Sequence, residues 1–468
     1  MFIGRESELQ ELNMLYKKQT FQMFVLYGRR RVGKTTLLNE FCKDKPSIFY
    51  AAEQTNDKMN LEKFSRLVFE YYKETNLENF SSWDRAIGYI NEKQQDEQLV
   101  LVFDEFPYLA NVNPGLMSIL QHLIDHKLLG SKLFIILCGS YMGFMEKEVL
   151  GAKSPLFGRR TAQLQMKPFD YSLSSAFYRN RKLDEKAIFY SIFGGTPLYL
   201  SQIDEKESLE TNVKRLFLKP TGYLYEEPQL LLQQEVQEPG VYLAIIEAIA
   251  KGAVRSSEIA SKTGEDNAKC IKYAAVLCEL GIIYKEYPLG SKQNSRKGQY
   301  RICDPMFAFW YRYVAPNRTL IETGASQIVW TRRIENDMSD YVGFMFERIC
   351  KEYLYFENSK GNLPILATDI GRWWGTDSKK KTEVEIDLVA RDDKTYIFGE
   401  CKWRNEKLGY SVLEQLRYKS DVMDAHRGES WYYLFSKSGF SDAIIEESKR
   451  DEHVVLVTLE TLYSNRKP

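Results

Sequence analysis

The sequence predicts an α/β protein, with a parallel sheet carrying a phosphate-binding loop, a largely helical middle and a second α/β region. Three observations lead there. The stretch Tyr27-Gly28-Arg29-Arg30-Arg31-Val32-Gly33-Lys34-Thr35-Thr36 has two glycines bracketing four residues, then Lys and a hydroxyl, and follows the apolar run Phe24-Val25-Leu26. Apolar runs at 47–52, 99–103, 133–137 and 161–166 are separated by helical patterns, for instance at 61–72 and 116–126. That alternation is the signature of parallel strands covered on both faces by helices. The run Leu99-Val100-Leu101-Val102-Phe103 ends in Asp104-Glu105, so two acids emerge at the carboxyl edge of a buried strand, where α/β sheets bind ligands.

Composition sets the outer limits. A chain of 468 residues has room for about two to four domains, each with its own core. Lys plus Arg and Asp plus Glu are equal at 64 each, so a nucleic-acid partner would have to be met by a local basic face. Seven scattered cysteines without a CxxC pair point to a reducing compartment and away from a zinc ribbon. The chain runs directly into Phe2-Ile3-Gly4-Arg5-Glu6 without a leader pattern, and no apolar run approaches membrane-spanning length. A cytoplasmic protein with no membrane partner is expected. The pattern divides the chain into a nucleotide-binding core at 1–170, a helical lid at 171–235, a middle domain at 236–315, a linker at 316–335 and a C-terminal domain at 336–468.

In the first domain each residue type has a chemical reason. Backbone N–H groups of the loop, with the following helix N-terminus, form a cradle for polyphosphate from Gly28 to Thr36. Lys34 would reach the β/γ oxygens and Thr35 would ligate Mg²⁺. Asp104 would hold Mg²⁺ through water, and Glu105 would polarise the attacking water. Ser140, at the tip of the next strand in Cys138-Gly139-Ser140, either senses the γ-phosphate or closes a simple turn. Arg159 and Arg160 either stabilise charge on the transferred phosphoryl group, in cis or across a homo-oligomer contact, or are solvated surface residues. Phe2-Ile3-Gly4, before an amphipathic helix with Leu9, Leu12 and Leu15, either packs over the nucleotide base or belongs to a helix covering a sheet edge.

The phrases Gly28-Arg29-Arg30-Arg31-Val32-Gly33-Lys34-Thr35, Asp104-Glu105, Gly158-Arg159-Arg160 and Gly194-Gly195-Thr196-Pro197 together resemble the archaeal-type ATPase family, an AAA+/STAND-related branch. The likeness covers about residues 1–235. It implies a P-loop NTPase parallel sheet of the additional-strand kind with a helical lid, and ATP as the nucleotide. The lack of a guanine-selecting Asn-Lys-x-Asp agrees.

Residues 236–315 change character. Helical patterns at 241–250, 256–261 and 267–280 precede two strand-like runs, 282–285 and 299–302. Three helices and a hairpin resemble a winged helix-turn-helix. Its wing carries Lys285, Lys292, Arg296, Lys297 and Arg301 against Glu286, a surplus able to grip DNA phosphates; such modules also serve purely as packing or interface units. The aromatic cluster Phe307, Phe309, Trp310, Tyr311 and Tyr313 reads as core under a linker helix rather than as a base-stacking surface.

In the C-terminal third, a helix with Glu347 precedes strand-like runs at 366–374, 383–390 and 395–402. Alternation puts Glu400 and Lys402 on one side of a strand, with Asp387 on the neighbouring strand and Glu347 approaching from the helix. Clustered acids repel without a cation, so Mg²⁺ or Mn²⁺ held by Asp387, Glu400 and Glu347 is expected, with Lys402 orienting a water. The arrangement Asp387, then Glu400-x-Lys402 resembles the PD-(D/E)xK nuclease superfamily. That resemblance implies a C-terminal α/β restriction-endonuclease-like domain and a role for Gln415 on the next helix, with 431–435, 441–450 and 454–459 completing the core. The Pro that often precedes the first Asp is absent. The expectation is therefore an ATP-hydrolysing switch coupled to DNA binding and metal-dependent DNA cleavage. The alternatives are an ATP-controlled DNA-binding regulator with an inactive nuclease-like domain, and an NTP-switched protein scaffold.

Overall fold

The computed structural model describes residues 2–75, 78–94, 97–291, 297–423 and 428–464, and the chain divides into two compact units, 1–168 and 169–468. The first unit is built on five parallel strands, β1 (Gln22–Tyr27), β2 (Ser47–Ala51), β3 (Leu99–Asp104), β4 (Leu133–Gly139) and β5 (Ala162–Gln165), in the order β2-β3-β4-β1-β5. The runs of β1, β3 and β4 are apolar at nearly every position because both faces are covered, and every residue in them is buried. Alternate side chains sort accordingly. Met23, Val25, Leu101, Phe103, Ile135 and Leu137 enter one core, and Phe24, Leu26, Val100, Val102, Phe134 and Ile136 enter the other. Helices α1 (Glu6–Tyr16) and α2 (Lys34–Cys42) close the second core with Leu12, Leu15, Leu37, Leu38 and Phe41. On the opposite face lie α3 (Asp57–Tyr71), α4 (Trp83–Lys93), α5 (Phe106–Val112) and α6 (Leu116–Leu123). The order matters for chemistry: β4 stands between the loop-bearing β1 and the acid-bearing β3, so the loop, Ser140 and Asp104-Glu105 come off neighbouring strand ends along one edge.

The second unit begins in helices. α7 (Leu183–Phe193) ends at the Gly194-Gly195 break, where Gly195 O accepts from Phe169 N at 2.8 Å. α8 (Leu209–Phe217) and α9 (Glu227–Glu235) follow. Next come three helices, α10 (Pro239–Ala250), α11 (Ser256–Thr263) and α12 (Asn267–Glu279), and an antiparallel ribbon, β6 (Ile283–Glu286) with β7 (Gln299–Ile302). Lys292 and Arg296 lie outside the described residues. Residues 316–335, expected as a linker, form short helical turns that bury Ile321, Val329, Trp330 and Ile334. Phe307, Phe309, Trp310 and Tyr313 are buried as core.

The long helix α13 (Met338–Lys360) leads into a second five-stranded sheet: β8 (Asp369–Asp377), β9 (Thr382–Arg391), β10 (Tyr396–Lys402), β11 (Ser430–Ser436) and β12 (Val454–Thr458), in the order β12-β11-β10-β9-β8. β8, β9 and β10 pair antiparallel; β10, β11 and β12 pair parallel through α14 (Tyr410–Val422) and α15 (Asp442–Arg450). The first strand starts at Asp369 rather than at 366. Asn358 of α13 engages the Ala367 backbone instead, accepting from its N–H at 2.8 Å and donating to its C=O at 3.0 Å.

Candidate functional site

The loop between β1 and α2 takes its shape from backbone conformations that its glycines allow. Gly28 sits at φ 152° and Gly33 at φ 92°, and Arg31 also turns to φ 72°. Gly33 caps α2, so the loop runs straight into a helix N-terminus, where N–H groups point outward. Val32 anchors the loop in the α2 core and Arg29 is buried, whereas Thr35 and Thr36 face outward. The Lys34 ammonium donates to the carbonyls of Gly28 at 2.8 Å and Arg29 at 3.1 Å. Thr35 Oγ1 donates to Asp104 Oδ2 at 2.7 Å, which brings the expected hydroxyl and carboxylate together at the sheet edge. Both are hard oxygen donors, as Mg²⁺ requires.

Glu105 is held from two sides. Ser140 Oγ is 2.9 and 2.8 Å from its two carboxylate oxygens, and Arg30 Nη1 lies 3.7 Å from Oε1. The Glu105 backbone is left-handed at φ 52°, unusual for a residue with a side chain. It caps α5, directly ahead of Phe106-Pro107.

Arg159 makes a two-armed pair with Asp125, at 2.8 and 2.7 Å, and Arg160 lies 5.8 Å from the Phe157 ring centroid. Burial, with Glu146 adding and Arg160 opposing, raises the Tyr27 hydroxyl above its ordinary pKa. At the N-terminus Phe2 packs on the α1–α2 core and Gly4 is buried, with Ile3 partly exposed beside them. The next residue does more than expected. Arg5 donates to Val32 O at 3.3 Å and Lys167 O at 2.5 Å, tying the N-terminus to the phosphate loop. Only its adjacency to Phe2-Ile3-Gly4 pointed to it in the sequence.

In the second unit Asp387, Glu400 and Lys402 meet. Lys402 Nζ is 2.6 Å from Glu400 and 3.8 Å from Asp387, and Asp387 Oδ2 accepts from the Cys401 N–H at 2.9 Å. A bulge aims Asp387: β8 pairs Gly371 with Val389 but Trp373 with Ile386, so Asp387 and Leu388 together face Arg372. Glu347 approaches from α13 but lies 3.5 Å from Arg372, which also pairs with Glu385. Gln415 is exposed, and Lys419 one turn later reaches both Glu400 oxygens at 3.0 and 2.8 Å. The i,i+4 spacing from Gln415 was the signal for Lys419; nothing in the pattern pointed to Arg372.

This alters one expectation. Among the described residues no group of three or more His, Cys, Asp or Glu side chains is arranged to hold a metal ion. Glu347 pairs with Arg372, and Lys402 and Lys419 both pair with Glu400, so the three carboxylates expected to share a cation each have a cationic side chain beside them. Burial, with Asp387 adding and Arg372 opposing, pushes the Glu347 carboxyl up to about 7. Burial and then Glu400 raise Asp387 as well, against the pull of Lys402. Burial works against the Lys402 charge, yet Glu400 and Asp387 raise its pKa overall. Glu347, Asp387 and Arg372 also line a pocket of about 240 Å³, together with Tyr284 and Glu286 of β6.

Two of the ribbon's cations, Lys285 and Arg301, are engaged. Lys285 lies 5.0 Å from the Tyr300 ring centroid and 5.5 Å from that of Tyr287, and Arg301 is 3.4 Å from Glu286. Lys297 is exposed. No helix is long and apolar enough to cross a membrane, among the described residues.

Comparison with known proteins gives two family matches. An ATPase domain predominantly from Archaea matches residues 2–203, and a family of archaeal and bacterial proteins of unknown function matches residues 310–414. The uncharacterized protein MJECL04 of Methanocaldococcus jannaschii is 31% identical over 469 residues, spanning 98% of this chain and 99% of its own length. The ATP-binding protein MJ0423 of the same organism is 42% identical over 45 residues, 10% of this chain and 76% of its own. Among solved structures, the Walker-type ATPase PABY2304 of Pyrococcus abyssi is 21% identical, with a TM-score of 0.47, over 66% of this chain and 96% of its own.

Proposed function

The chain belongs to the family of ATPases found predominantly in Archaea, and from that premise we propose that it is an ATP-hydrolysing switch whose second unit meets DNA. One observation carries the site assignment: Thr35 on Asp104 and Ser140 on Glu105, side by side at one sheet edge. The loop N–H groups and Lys34 bind the polyphosphate. Thr35 and Asp104 would hold Mg²⁺, which when bound offsets phosphate charge. Glu105 accepts the proton of the attacking water, and Ser140 keeps that carboxylate turned toward it. Phe2-Ile3-Gly4 covers the base side, and Arg159 or Arg160 serves a neighbouring subunit. The seven scattered cysteines suit a reducing cytoplasm. Glu105→Gln is expected to leave ATP affinity within about twofold and lower kcat by about 10²-fold or more; unchanged turnover would remove Glu105 from this role.

The DNA reading rests on the three helices and ribbon, read as a winged helix, and on the C-terminal sheet, read as nuclease-like. Retention on DNA should weaken steeply with salt, and weaken further in Arg296→Ala/Lys297→Ala. Retention indifferent to both would favour a protein scaffold. A second reading, DNA cleavage, is favoured by Asp387, Glu400 and Lys402 lying together. Incubation with Mn²⁺ and linear, branched or single-stranded DNA tests it. Products lost in Asp387→Ala and Lys402→Ala support cleavage; no products with any DNA leave a DNA-binding regulator.

A further inference from the structure

The Arg30 side chain spans from the phosphate cradle to the acid proposed as base. Its Nη1 lies 3.7 Å from Glu105 Oε1, and its Nη2 donates to the Tyr108 hydroxyl at 2.9 Å. Tyr108 stands on α5, three residues beyond Glu105. Neither charged partner is far in solvent, the Arg30 side chain being 23% exposed and that of Glu105 26%. A guanidinium is a rigid planar fork, so two anchors fix its direction where one would leave it to swing. Ser140 also donates its hydroxyl to the carboxylate, and its N–H adds a longer contact at 3.4 Å. Glu105 therefore sits between β4's tip and the loop itself, on a left-handed backbone that no glycine eases.

We propose that Arg30 is a positioning residue for ATP hydrolysis: it transmits the conformation of the phosphate loop to Glu105 and sets where that carboxylate stands relative to the γ-phosphate. This rests on the reading of Glu105 as the base. In the reaction, water oxygen forms the new bond to the γ-phosphorus while the bond to the β,γ-bridging oxygen breaks, releasing ADP. The water proton passes to the Glu105 carboxylate and from there to solvent. Arg30 takes no part in bond making. It contributes by holding the acceptor at the correct place, an effect that a displacement of about 1 Å is enough to forfeit. The loop and the acid are thus one device: a loop not shaped around polyphosphate leaves Glu105 misplaced.

A double-mutant cycle tests this. Arg30→Ala, Glu105→Gln and the pair are compared for kcat, KM for ATP, and equilibrium affinity for ADP, with a thermal melt confirming each fold. Arg30→Ala is expected to lower kcat about tenfold, with ADP affinity held within about twofold. In the Glu105→Gln background the same change should cost less than about twofold, because its target is already gone. Losses that multiply in the double variant, or a loss confined to KM and ADP affinity, would overturn the assignment and make Arg30 a phosphate contact. Normal turnover in Glu105→Gln alone would instead sink the base reading, a distinct result. If Arg30→Ala melts below assay temperature, Arg30→Lys, which retains the charge but not the fork, goes through the same cycle under the same criteria.

Discussion

A methyl group at residue 28 would drive into the carbonyl of Met166, whose N–H in turn donates to Tyr27 O at 2.7 Å. The loop leaves β1 against the end of β5 with no room for a side chain. Gly28→Ala should therefore cost about 1–3 kcal/mol in urea unfolding and displace the cradle, which an ATP-binding titration will read as lost affinity. Glu347 supplies a pH test. Its carboxyl moves from 4.5 to about 7 on folding, so the folded chain holds that proton more tightly than the unfolded chain. Its contribution lowers stability progressively as pH rises through that window. Glu347→Gln removes the effect, so melting temperature should gain more near pH 8 than near pH 5. Equal shifts at both would assign the raised pKa no part in stability. The glycines and acids of the first site were legible because their spacing is local; the Arg30–Glu105 pair was not, since it joins the ends of strands separated by β4.

At the level of elements, the ribbon and the C-terminal sheet are joined. Leu289, just beyond β6, donates its N–H to Arg372 O at 2.9 Å on the edge strand β8, and its side chain enters the core with Ile386, Phe398 and Leu434. An edge strand left open invites unwanted pairing, and this segment covers part of it. Leu289→Ala should cost about 2–5 kcal/mol, seen as earlier melting of the C-terminal sheet although residue 289 lies about eighty residues before it. A loss confined to the three helices would contradict this coupling. The sequence marked 282–285 and 299–302 as strands and their cations as a DNA-facing wing. What it could not display was Glu286, Tyr287 and Tyr300 already occupying Arg301 and Lys285. Nor could it display the bulge at Asp387, because a register shift depends on which partner strand arrives.

Across the whole molecule, the five expected segments condense into two units. The helices after residue 169 are tied to α13 and beyond by buried and partly buried hydrogen bonds. Tyr190 donates to Glu352 at 2.7 Å, Tyr171 to Leu462 O at 2.6 Å, and Tyr341 to Ser191 O at 2.7 Å. Such bonds are costly to break without replacement, so the helices at 171–235, the three-helix region and the C-terminal sheet should unfold together. The first unit, by contrast, covers both faces of its sheet with its own helices. Residues 1–168 expressed alone should melt in one cooperative transition, monitored by circular dichroism. A broad, non-cooperative loss of signal would show that the second unit is needed to complete it.

By itself the sequence determined the strands, the loop, the order of the acids and the kinds of chemistry they support. Those depend on residues close along the chain, through helical and strand periodicity and through glycine's freedom at Gly28 and Gly33. Tertiary structure alone decided which charges meet: Arg30 with Glu105, Lys419 with Glu400, and Arg372 with Glu347. Coulomb interactions act over a few ångströms of space without regard to sequence separation, so only the folded chain fixes which partner each carboxylate takes.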